Sequence, residues 1–343
     1  MQPSNIALPV IPSSDKSFRI TDRGKHHTVD DKKILWKVGL RVGLKKGWDG
    51  FLWIMKIVLP VSLMTALLAW SGWLHRLDFL LAPAMDLLSL PTIAALPLII
   101  GMLANIYGAI AAMVVLPFTT AQMTLMAIFL LTAHNMIQEG IIQARSGLNP
   151  LKATLFRLCA ATATVVLVAP FLTDGQTTNL PVEVMTAAAV PFLQMLKDWS
   201  WATLMLGVKI FGICMVLLTT LEIFKAMGWI AAIVNIFSPF LNIMGLDRKL
   251  GFLWMTAIVF GLAYGGAVIV EETKDGSLPK EDLEMLHLSI GINHSMVEDP
   301  ALFMSLGLSA FWLYIPRLIM AIVTVRLMRL WFRFKKRRSV AAL

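Results

Sequence analysis

This sequence has little charge. Only 15% of its 343 residues are charged, against about a quarter in an ordinary soluble domain, which excludes a solvated surface over most of the chain. Cysteine is nearly absent. Cys159 and Cys214 both sit inside apolar runs, so they read as small buried hydrophobes, not as a disulfide framework or a zinc site. No G-x-x-x-x-G-K-[ST] loop occurs, so nucleotide hydrolysis has no support. Nor is there a credible catalytic triad, and neither an enzyme nor a cofactor is expected. No cleavable signal peptide is visible, and residues 1–31 are polar with several Pro and Ser, as in segments that do not pack.

What is present is apolar length. The chain is 57% hydrophobic, and several stretches reach the roughly 20 residues that cross a bilayer as a helix. An all-α polytopic membrane protein follows. The net charge of +9 does not point to nucleic acid, because the basic residues gather at the two ends, as cytoplasmic flanks do. Lipid is the expected surroundings. The 11 Trp and 21 Met read as helix packing and interface markers.

The chain repeats itself. Residues 134–166 align without gaps on 294–326, an offset of 160. His134 then falls on His294, Gly147 on Gly307, Arg157 on Arg317 and Thr164 on Thr324. Upstream, Tyr107-Gly108 matches Tyr264-Gly265, Pro83 matches Pro239, and Gly72-Trp73 matches Gly228-Trp229 at slightly smaller offsets. Leu and Ala matches come readily by chance, whereas a His, an intramembrane Arg and a Gly in one register do not. The units run over 48–172 and 200–332, with a linker at 173–199 and a basic tail at 333–343.

Charge sets the topology. Lys32, Lys33, Lys37, Arg41, Lys45 and Lys46 precede the first span, and Arg326 to Arg338 follow the last, so both termini are expected in the cytoplasm. The joint from Thr173 carries no Lys or Arg and reads as external. Each unit must then cross an odd number of times, yet unit 1 offers four apolar segments, 50–72, 91–117, 120–145 and 148–172. One must enter and leave by the same face. Segment 91–117, with Pro97, Gly101, Gly108 and a polar interruption at Asn105, is the best candidate for a re-entrant hairpin, and 250–270 is its counterpart. The fold class is therefore an inverted repeat of six transmembrane helices, two re-entrant hairpins and interfacial segments at 74–89 and 230–246. Within the cytoplasmic segment 1–47, residues 32–46 read either as a basic amphipathic helix on an anionic leaflet or as a solvated linker.

The runs TAHNMIQE and INHSMVED fall near the midpoints of two spans, 120–145 and 283–306. Each is a plausible helix break, and inverted repeats with broken helices bind solutes or ions at the midplane. Ionisable groups at that depth need partners or water. Arg157 and Arg317 therefore read as charge partners, Arg157 of Glu139 and Arg317 of Glu298 or Asp299. His134 and His294 read either as site residues or as a satisfied helix–helix contact. His294 and Glu298 stand at i, i+4, so a metal site, if any, would use His134, His294 and Glu298; the alternative is a proton relay through His and carboxylate.

HNMIQEG and NHSMVEDPALF, each followed by a Gly-Leu turn, resemble the nucleoside recognition, or Gate, domain family, over about residues 50–330. That family includes the spore maturation proteins A and B. Similar modules occur in concentrative nucleoside transporters and in the membrane part of ferrous iron transporter B. The resemblance implies a substrate site of Asn105, Tyr107, His134, Asn135, Gln138, Glu139, Tyr264, Asn293, His294, Ser295, Glu298 and Asp299, between two Gate-type units. It implies a secondary transporter of a small polar, nucleoside-like solute in the bacterial inner membrane, coupled to protons or sodium. The chain lacks the transporters' extra scaffold helices and the iron transporter's G domain. A divalent metal transporter and a non-transporting scaffold of the spore-maturation type stay open, as does a homo-oligomer.

Overall fold

The computed structural model describes residues 29–72, 78–145, 147–172, 191–229 and 279–341, with isolated positions between 250 and 269. The regular structure among them is helical: α1 (Val29–Trp70), α2 (Asp78–Leu87), α3 (Ala95–Leu103), α4 (Ile106–Val115), α5 (Thr120–Ala133), α6 (Met136–Arg145), α7 (Pro150–Val168), α8 (Phe192–Ala226), α9 (Lys280–Asn293), α10 (Glu298–Met304) and α11 (Ala310–Ala341). Most of the expected second hairpin, including Tyr264, lies outside the described residues, as do segment 230–246 and most of the linker.

Glycine spacing builds the longest helix contact. Gly39, Gly43 and Gly47 form one face of α1, and a Cβ on them would stand 2.8 Å from Ile223 Cα, 2.5 Å from Thr219 Cα and 2.9 Å from Met215 Sδ. Small residues every four positions let two backbones approach this closely, which is how helices associate in lipid. The contacts continue in antiparallel order, with Gly207 against Met55, Trp199 Nε1 donating to Ser62 Oγ at 3.1 Å and Trp70 edge-on to Phe192. Residues 32–46 are thus neither a separate surface helix nor a linker. They are the first part of an unbroken 42-residue helix, with Gly39, Gly43 and Gly47 on its packing face. Two further boundaries differ from expectation. The α8 helix begins at Phe192, inside the expected linker, and the basic tail continues α11 to Ala341.

The first hairpin is present as antiparallel α3 and α4. Its turn lies at Ala104–Asn105, where Asn105 caps α4 by accepting from Gly108 N at 2.8 Å. At 9 and 10 residues each arm extends about 15 Å, half of a ~30 Å hydrocarbon core. A Cβ on Gly101 would stand 2.3 Å from Leu130 Cδ2 and 3.0 Å from Ala109 Cβ, so glycine is what seats this arm on α5. Ahead of it, α2 meets the helical stretch from Thr92 at 93°.

Five described helical segments are long and apolar enough to cross a bilayer, the second of them α5 and α6 across their break: Ile34–Trp70, Thr120–Arg145, Pro150–Phe171, Phe192–Ala226 and Ala310–Phe334. This is a polytopic membrane architecture. The sixth expected crossing, 283–306, is not one apolar helix. It is α9 and α10, with Glu281, Asp282 and Glu284 at one end and Glu298 and Asp299 after the break. Met285 through His294 are all buried, so protein rather than lipid solvates them. Likewise, α5 is buried on every side from Thr124 to Ala133, as a helix apolar all round must be.

Local features recur at the spacing the sequence suggests. The α5 helix ends at Ala133 and α9 at Asn293, while α7 starts at Pro150 and α11 at Ala310. The residues after the two breaks, Asn135 and Ser295, have φ of 52° and 51°, and the turn glycines Gly147 and Gly307 have 98° and 91°.

Candidate functional site

Each broken helix ends in a histidine. His134 caps α5 and His294 caps α9, both in extended backbone, and the next residue turns left-handed before the chain resumes as helix. A helix end inside protein leaves carbonyls without partners. Here an arginine supplies them. Arg157 donates from Nε to Thr132 O and from Nη2 to His134 O, both at 2.9 Å. Arg317 donates from Nε to Ile292 O at 3.2 Å, and from Nη2 to Ile292 O and His294 O at 3.1 Å. Each break is also held by a backbone bond, Asn135 N to Gly101 O at 2.8 Å and Met296 N to Ile258 O at 3.1 Å.

The two imidazoles meet. Their centroids are 4.8 Å apart and tilted by 37°, and Nε2 faces Nε2 at 3.4 Å. Glu139 Oε1 joins them, 3.0 Å from His294 Nε2 and 3.4 Å from His134 Nε2. Its other oxygen is 2.6 Å from Arg157 Nη1. Asp299 Oδ2 lies 3.4 Å from His134 Nε2. All of these residues are buried.

The tautomers follow from the remaining ring nitrogens. His134 Nδ1 faces Leu130 O at 2.8 Å and His294 Nδ1 faces Gly291 O at 3.2 Å. A carbonyl only accepts, so each Nδ1 carries a proton, and in the neutral ring each Nε2 presents a lone pair. Two lone-pair nitrogens and a carboxylate oxygen therefore converge on one point. That arrangement repels itself in a low-dielectric interior unless a cation sits among them.

The other expected site residues distribute around this core. Tyr107 donates its hydroxyl to Glu298, so Glu298 is not a neighbour of the histidines and the metal set expected from spacing is corrected: Glu139 takes its place. The spacing argument assumed an unbroken helix from 294 to 298, and the left-handed Ser295 turns Glu298 away. Arg157 pairs with Glu139 as expected. Arg317 does not pair with Glu298 or Asp299 within the 4.0 Å of an ion pair; its Nη1 has no hydrogen-bond partner among the described residues, because aspartate is one methylene shorter than the glutamate that serves Arg157. Asn105 is committed to the hairpin turn, and Asn135 Nδ2 donates to the exposed Gln138 at 3.3 Å, away from the cluster. Asn293 is fully buried, with neither amide atom hydrogen-bonded among the described residues, and Ser295 is half-buried. Sequence reasoning passed over buried His287 and Gln143, whose Nε2 donates to His287 O at 3.4 Å. Their signal was the ordinary one, polar side chains inside otherwise apolar helices.

The chain is similar to the "Uncharacterized membrane protein YvoD" of Bacillus subtilis (strain 168), with 25% identity over 307 residues, 88% of this chain and 97% of that protein. No family model and no solved structure matches it. The likeness supports a membrane protein and extends across both halves of the sequence.

Proposed function

We propose that this protein is a secondary transporter in the bacterial inner membrane. Two Gate-type units in inverted repeat, with both termini cytoplasmic, bind a cation where their broken helices cross, and that cation either drives a small polar, nucleoside-like solute or is itself the cargo. The observation that carries the reading is the convergence of His134 Nε2, His294 Nε2 and Glu139 Oε1 within hydrogen-bonding reach of one another.

Charge supports a cation over an anion. Ionised, the three carboxyl groups Glu139, Glu298 and Asp299 outnumber the guanidinium groups of Arg157 and Arg317 by one, so the neutral-imidazole state is then one positive charge short. A buried deficit of that kind attracts a proton or a metal ion. The inverted arrangement is supported by direction: helices at matching repeat positions run antiparallel, as α1 does against α8, and Gln143 and Gly147 lie against His287 and Leu283 while His134 lies against His294. The half-depth α3–α4 hairpin, bonded to the first break through Asn135 N and Gly101 O, would act as a gate, since moving it uncovers the histidines.

Uptake into proteoliposomes tests this, with a panel of nucleosides under an inward proton or sodium gradient. Wild type should accumulate solute and His294→Ala should not, while eluting as the same monodisperse species in detergent. Absence of gradient-driven flux of any nucleoside or divalent metal by wild type would sink the transporter and favour a membrane scaffold. For the topology, a cysteine at position 277 should react with an impermeant reagent only from the cytoplasmic side.

A further inference from the structure

We propose that the cation is a divalent transition-metal ion of the zinc class, held by His134 Nε2, Glu139 Oε1 and His294 Nε2. This rests on the cluster being a cation site, and it names the ion.

The first argument is metric. Zinc bonds of about 2.0–2.1 Å to nitrogen and oxygen in tetrahedral geometry set neighbouring ligand atoms about 3.3–3.4 Å apart. The three atoms here are separated by 3.4, 3.4 and 3.0 Å. A proton shared within one hydrogen bond needs only two heavy atoms; a third lone pair at the same spacing is what a metal uses. Small adjustments of buried rings suffice to seat the ion.

The second argument is the outer shell. A metal-ligating histidine donates its other ring N–H to an oxygen, which fixes its tautomer, and a ligating carboxylate is itself hydrogen-bonded. Both histidines donate Nδ1–H to a helix carbonyl. Glu139 Oε2 is held by the Arg157 guanidinium as an ion pair at 2.6 Å, and the same guanidinium ties down the carbonyl of His134. Arg157 thus orients two ligands at once.

The donor set decides the ion. Calcium and magnesium require six or more oxygens, whereas two imidazoles and one carboxylate suit first-row transition ions such as zinc, ferrous iron, cobalt or nickel. Three protein ligands leave a coordination position open. Asp299 Oδ2, 3.4 Å from His134 Nε2 but outside the compact trio, flanks that position. An ion that must leave again is better served by three ligands and a flanking carboxylate than by a closed four-ligand cage.

The test is equilibrium binding of Zn2+ and Co2+ to the purified full-length chain in detergent. Wild type should bind one ion per chain, unopposed by excess Mg2+ or Ca2+. The cobalt form should show a visible spectrum of nitrogen and oxygen ligation without a thiolate charge-transfer band, since neither cysteine belongs to the cluster. Glu139→Gln and His294→Gln should each weaken binding at least about tenfold, the least that losing even an outer-shell partner costs a metal site, with both apo variants eluting as wild type does and His294→Gln melting close to it. Replacing His26 and His27, the sequence's adjacent histidine pair, should change nothing. The metal assignment fails if wild type binds neither ion, if the cobalt spectrum carries a thiolate band, if the double variant His134→Gln/His294→Gln binds as wild type does, or if His26 and His27 account for the affinity. Should the substitutions prevent folding, the wild-type cobalt spectrum decides alone. Gradient-driven solute uptake without bound metal would overturn the metal and leave the transporter standing; metal held by the three residues with no flux would do the reverse.

Discussion

Glu139 and Arg157 form the buried pair on which the histidine geometry depends, and a double-mutant cycle measures that dependence. At 2.6 Å between Nη1 and Oε2, with charge centres about 4 Å apart, the pair attracts by about 4 kcal/mol at an effective dielectric near 20. Removing one partner of a buried pair costs about 3–5 kcal/mol, because the other charge stays behind without compensation. Glu139→Gln should fall at the low end, since Gln still offers a carbonyl to Nη1 and Arg157 keeps its bonds to Thr132 O and His134 O at 2.9 Å. Arg157→Met should cost more. It strands the Glu139 carboxylate and also orphans two buried carbonyls, each worth about 1–3 kcal/mol. The double variant should therefore be less destabilised than the sum of the singles, with a coupling of about 1–3 kcal/mol. Reversible unfolding in mixed detergent micelles reads all four corners. Additivity within about 0.5 kcal/mol would refute the claim that this pair is one energetic unit.

Three further outcomes follow from packing and backbone. Gly43→Ala should destabilise by about 1–3 kcal/mol, because its Cβ would meet Thr219 Cα at 2.5 Å, whereas Gly50→Ala, facing only the end of Leu218 at 3.2 Å, should sit near wild type; thermal melts of the two decide, and equal values would argue against close α1–α8 contact. Gly307→Ala meets no atom within 4 Å yet has φ of 91°, so it should lose about 1–2 kcal/mol from backbone strain alone; no loss would mean the turn is not left-handed. Tyr107→Phe removes the hydroxyl that Glu298 accepts from, and should cost about 1.5–3 kcal/mol, as hydrogen bonds to charged groups do; an unchanged melting curve would mean that contact is not formed.

Parts of the site were legible in the sequence for definite reasons. Pro97, Gly101 and the polar Asn105 interrupt an apolar run, and a helical hairpin turns there. The paired histidines share one alignment register and meet at 3.4 Å. The ligand set was misread at Glu298. An i, i+4 spacing puts two side chains on one face only while the helix continues, and both helices stop at their histidines. Across such a break Glu139, five positions after His134, swings in, while Glu298, four after His294, swings out to Tyr107. The glycine stripe of α1 was passed over because its partner, α8, lies more than a hundred residues away in the chain.

Composition and periodicity by themselves determined a helical chain in lipid, with polar breaks at matching points, because apolar length and the cost of unpaired backbone in a bilayer leave few alternatives. Tertiary structure decided which carboxylate faces the imidazoles, which guanidinium nitrogens close each helix end, and which face of α1 is buried. These depend on the direction the chain takes after a break and on distant backbones coming into contact, and neither is encoded in the local order of residues.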